Sequence, residues 1–197
     1  GGGGTAAMDI RYEFSLKKTN LLGARPTQGT FGLLAARVMA PANPYRSVLL
    51  YRMAKLGRGR MPHFGSQVVD RQGLQLVHDW IASIDSKLAA PGSGDSAATL
   101  LGKQNNVLLT RLALPDLDAS KRQATIDQLL GSTSGALQLA LAIDHPRDPL
   151  RTAVSRMAIA AGTQHTDVQI RDLYERFLPY DKRVRRLGST VQTAQIL

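Results

Sequence analysis

Two amphipathic helix signals held apart by a basic, glycine-broken loop constrain this chain more than any other feature. Residues 41–84 read PANPYRSVLLYRMAKLGRGRMPHFGSQVVDRQGLQLVHDWIASI. Asn43 before Pro44 is a helix start: Asn accepts a first-turn N–H, and Pro already holds the helical φ. The apolar positions Val48, Leu49 and Tyr51 to Met53 run toward Gly57, where continuing the helix becomes unfavourable. Asp70 is the next cap. After it Leu74, Val77, Ile81, Ile84 and Leu88 recur at three- and four-residue spacing, with Trp80 beside the stripe. The stretch between, 55–69, fits neither helix and is where chemistry is expected.

Several stretches carry a resemblance: SVLLYRM (47–53), RMP (60–62), VVD (68–70) with GLQLVHDWI (73–81), and RPTQGTFG (25–32). Together they resemble the C-terminal half of a cytochrome c-like domain. The likeness is to the large bacterial multidomain c-type haem proteins that are often fused to sugar-dehydrogenase-like propellers. RDLYERF (171–177) and RVRRLG (183–188) resemble the connector that leads into a further haem domain of that family.

The resemblance implies that Met61 is the distal axial ligand of a haem iron and that Arg52, Arg58 and Arg60 face haem propionates. Fork-shaped guanidinium groups suit such carboxylates. It also implies a periplasmic or exported parent and a dehydrogenase linkage. The partners it implies are other haem or dehydrogenase domains, and an acidic redox protein. The family attaches haem through Cys-x-x-Cys-His, and this chain has no cysteine. By resemblance haem c belongs to the parent, its attachment motif lying before Met8, and no covalent haem is expected in this chain. By that cysteine arithmetic, the reading of Met61 as an apolar anchor for its loop leads for this chain alone.

The expected fold is mainly α. A truncated cytochrome c-like lobe with a short β portion spans 1–88, and a linker rich in Pro, Gly and Ser spans 89–96. A helical-hairpin or solenoid-like connector spans 97–188, and a tail spans 189–197. The β portion rests on the period-two alternation Ile10, Tyr12, Phe14, Leu16, with 33–40 as a second strand. In the connector, helices are expected from Asn105 to Leu114 and from Asp118 or Ser120 to Gly131. Others run from Ser132 or Ser134 through Ile143, from Asp148–Pro149 to Gly162, and from Thr166 or Asp167 through Phe177.

The net charge of +10 admits two readings. One is a basic helical module for nucleic acid or an acidic protein. The other, solvated basic faces, leads, since no helix-turn-helix, zinc-finger or aromatic RNA-binding signature accompanies the charge. No apolar run approaches the ~18 residues of a transmembrane helix, and the Gly-rich start lacks signal-peptide regions.

Other chemistries find little purchase. Absent cysteine excludes disulfides and thiol catalysis. His63, His78, His145 and His165 show no metal-ligand spacing, and His78 and Asp79 are expected to point apart along their helix. Ser47 and Ser66 lack a nucleophile context. Asp70, Asp79 and Asp85 read as a cap and surface charges. Gly57-Arg58-Gly59-Arg60 lacks the Lys-Ser/Thr of a phosphate loop. The chain alone is therefore expected not to be an enzyme.

Overall fold

Why the chain is helical is clearest in its caps. The computed structural model describes residues 8–9, 11–62, 68–88, 95–144 and 154–184. Among them are seven α-helices: α1 Val48–Ala54, α2 Arg71–Ser83, α3 Asp95–Leu112, α4 Ala119–Leu130, α5 Thr133–Asp144, α6 Ser155–Thr163 and α7 Val168–Tyr174. Asp70, Asp118 and Asp167 accept first-turn backbone N–H groups from Gly73, Lys121 and Gln169, so α2, α4 and α7 begin where their aspartates satisfy orphan donors. The expected helix start at 148–149, His63, His145 and Ser66 lie outside the described residues, as do 89–94 and 185–197.

Four expectations are corrected. The expected alternation does not make a strand over 11–16, Ile10 lying outside the described residues. Asp9 accepts the N–H and the guanidinium of Arg11, Phe14 N–H closes a turn on Arg11 O at 3.1 Å, and Leu16–Thr19 forms a 3-10 turn. A short carboxylate that hydrogen-bonds two residues on favours a turn over an extended ladder. Tyr12, meant for the buried face, is fully exposed. Residues 33–40 hold no strand; their extended backbone takes part in two isolated parallel bridges, Leu22 with Met39 and Arg37 with Ser47.

Third, Asn43 and Pro44 open a 3-10 turn, Pro44–Arg46, and α1 starts only at Val48. Ser47 Oγ is already engaged, accepting Ala40 N–H and donating to Asn43 O. Finally, α3 starts ten residues earlier than its first apolar cluster suggested, so the linker's last two residues are helical.

Helix α5 sits at the centre. Residues 133–140 are all buried, and the small side chains of Gly135, Ala136 and Ala140 let α3, α4, α6 and α7 pack against it. Helix α6 closes on α7 at one point where Gly162 lies flat against the Tyr174 ring. One buried apolar cluster includes Leu21, Met39, Leu50, Tyr51, Leu74 and Ile81 with Leu129, Leu137, Leu139, Leu173 and Tyr174. It therefore draws on segments before and after 89–96. Each such aliphatic side chain contributes about 1.5–3 kcal/mol when fully buried.

Charged ties cross the same boundary. Asp95, at the start of α3, accepts Arg46 and lies 3.6 Å from Arg37. Asp144 meets Arg71 of α2 at 3.0 Å and Arg176 at 3.3 Å.

Candidate functional site

The chain leaves α1 at Ala54 and must turn sharply to reach α2. Gly57 and Gly59 take φ of +82° and +80°, a region open to glycine at little cost. Gly57 has a second reason to be glycine: a Cβ there would stand 2.5 Å from Asp172 Oδ2. The loop thus lies directly on α7.

Lys55 is the pin of this contact. Its side chain is 1% exposed, and Nζ lies 2.7 Å from Asp172 Oδ2 and donates to Arg58 O at 3.0 Å. The rings of Phe31 and Tyr51 stand 5.4 and 5.3 Å from the ammonium, within cation–π reach. Leu56 N–H donates to Asp172 O, and Tyr51 Oη donates to Gln169 O at 2.8 Å. Burial, and after it the Asp172 and Asp167 charges, raise the Tyr51 phenol well above its ordinary value and keep it a donor.

Above this seam lies a cleft of about 730 Å³, a size typical of small-ligand and cofactor sites. Gln28, Gly29 and Phe31 form one side, Arg52, Lys55, Arg58 and Gly59 a second, and Val168, Gln169 and Asp172 of α7 a third. Three cations face one carboxylate, an excess of two positive charges. Lys55 and Asp172 satisfy each other. Arg52 Nε donates to Gly59 O at 2.6 Å, and burial pulls its guanidinium below the ordinary value. Arg58 is exposed, and its guanidinium has no hydrogen bond or ion pair among the described residues. It is the cation left available to an anion.

Of the residues singled out in the sequence, Arg52 and Arg58 are brought together at this cleft. Met61 is half-buried just beyond it, its N–H donating to Arg52 O at 2.9 Å, and the Met61–Pro62 bond is cis. Neither Met61 nor Arg60 is in the cleft wall; Arg60 instead reaches Val68 O at 3.4 Å.

Sequence reasoning missed the α7 wall, more than one hundred residues away. Asp172 follows Arg171 in QIRDLY, where a charged pair reads as solvated, so the sequence carries no local sign that this carboxylate is buried against Lys55.

Two further findings concern histidines. His78 and Asp79 do not point apart: His78 Nδ1 lies 2.9 Å from Asp79 Oδ1, and Nε2 lies 3.0 Å from Tyr45 Oη. A carboxylate only accepts, so Nδ1 carries a proton toward Asp79. Burial, then the Asp79 charge, pushes Tyr45 up to about 12. His165 Nδ1 accepts Asp167 N–H.

Among the described residues no group of three or more His, Asp or Glu is placed to hold a metal, and no helix is long and apolar enough to cross a membrane. Comparison with protein-family models, with curated proteins and with solved structures finds no match.

Proposed function

We propose that this chain is a non-catalytic portion of a multidomain c-type cytochrome, associated with a dehydrogenase, that supports haem binding and electron transfer. Residues 1–88 act as the distal side of a cytochrome c-like lobe, and the hairpin or solenoid-like stack of 97–188 connects it to further domains of an exported parent. The observation that carries the reading is a cofactor-sized cleft walled by Arg52 of α1 and Arg58 of the following loop, with Met61 farther along that same loop.

The residues suit haem unequally. Arg52 and Arg58, beside Phe31 and Val168, offer cations next to apolar surface, as a flat apolar ring with carboxylates at one edge requires. The Met61 sulfur lies outside the cleft wall, and no thioether can form on a chain without cysteine. Arg52 and Arg58 would hold the carboxylate edge, and Met61, on the same loop as Arg58, would be the residue to offer the iron a sulfur. When bound, the haem supplies one-electron chemistry; the chain's own residues bind and orient it.

Optical titration of the purified chain with haem tests the reading. A saturable one-to-one Soret shift is expected, at least tenfold weaker for Arg58→Glu. Met61→Ala should change the ligand-sensitive bands more than the affinity. No Soret shift at excess haem would overturn it.

A further inference from the structure

Helix α3 is apolar on two sides. Ala98, Asn105 and Leu112 are buried on the side that packs against α4 and α5. On the side away from that face, Leu100 and Val107 are 58% and 68% exposed, and Leu114, in the turn that closes the helix, is 53% exposed. These three are seven residues apart, which on a helix is nearly two full turns and one seam. Lys103 and Arg111 are exposed along the same arc, and the only carboxylate of α3, Asp95, is committed to Arg46 at the far end. Beyond the seam, Asp116 is exposed and Asp118 is engaged by Lys121, which leaves Lys103 and Arg111 in excess along the arc.

We infer that the Leu100–Val107–Leu114 seam is the docking face for an acidic amphipathic helix of a partner protein. An apolar heptad row is what a second helix packs into, and flanking cations select carboxylates at the partner's edge positions. Charge decides among occupants. A second copy of the chain would set Lys103 and Arg111 against their own kind. An anionic lipid surface is held by clusters of about four to eight cations, and the seam has two. The proposal stands apart from the haem reading, since α3 contributes nothing to the cleft.

The test uses the full chain and two synthetic four-heptad peptides with Leu at a and d, one with Glu and one with Lys at e and g. The Glu peptide is expected to bind one-to-one, with affinity falling as salt rises, and the Lys peptide at least tenfold more weakly. Leu100→Ser with Val107→Ser, on an exposed face and so neutral for folding, should weaken Glu-peptide binding at least tenfold. Lys103→Glu with Arg111→Glu should reverse the preference. Lys17→Glu with Lys18→Glu, remote from α3, controls for overall charge. Equal loss in that control, no Glu-peptide binding, binding indifferent to the seam variants, or seam-dependent self-association or vesicle binding would each overturn the proposal.

Discussion

At Lys55 the chain buries an ammonium beneath two aromatic rings, and only the Asp172 carboxylate makes that tolerable. Removing one member of such a pair strands the other charge away from water, which costs about 3–5 kcal/mol. Lys55→Met and Asp172→Leu are each expected to lose that much in urea unfolding. The double variant should recover most of it, because two apolar groups leave no buried charge. Single variants unfolding like the wild type would contradict the assignment. Gly162 presents a steric version of the same dependence: an alanine methyl would stand well inside van der Waals contact with the Tyr174 ring carbons. Tyr174 is fully buried and donates to Ala136 O at 3.2 Å, so it has nowhere to retreat. Gly162→Ala should destabilise by about 1–3 kcal/mol, the usual overpacking cost, in the same assay. At this scale the sequence was legible where a residue's chemistry is local, as at Asp70. It was not where the partner lies far along the chain, because nothing near Lys55 announces Asp172.

Helices were readable from caps and periodicity wherever both were present, as in α2, α4 and α7. The sequence predicts α3 short because Asp95, Ser96, Thr99 and Gly102 interrupt the apolar residues Ala97, Ala98, Leu100 and Leu101 of its first half. Side-chain hydrogen bonds overrode periodicity at 11–16, where the Asp9 turn defeats the apparent alternation. Capping also brings pH dependence. Asp118 is held below the ordinary carboxylate value, first by the Lys121 side chain and then by the Lys121 N–H. A depressed folded value means that its stabilising contribution is complete above the ordinary carboxylate value. That contribution is lost as the pH falls through the folded value. Asp118→Asn should accordingly flatten the acid limb of the stability curve below that point, followed by thermal melts across the acid range. An unchanged acid limb would contradict the cap's role.

Over the whole molecule, one apolar cluster and several charged ties join the residues before 89–96 to that segment and to those after it. Two of those ties, Lys55 with Asp172 and Arg71 with Asp144, span 89–96, while Arg46 with Asp95 anchors its last helical residues; shared burial of this kind makes opening either part expose core of the other. Calorimetry is expected to give a single transition, coincident with loss of helical circular dichroism; two separated transitions would contradict it. The mainly α class was legible from the sequence, while the cleft was only half legible. Arg52 near the end of α1 and Arg58 on the basic loop are legible from their charge, but the third wall arises from tertiary packing of α7, which no local pattern encodes. That cleft is where the account commits itself. Haem iron is paramagnetic and broadens nearby amide resonances, so an NMR spectrum of the chain with one equivalent of haem locates the ligand directly. The account predicts broadening confined to residues 28–31, 52–61 and 168–172. Broadening centred elsewhere, or none at saturating haem, would contradict it.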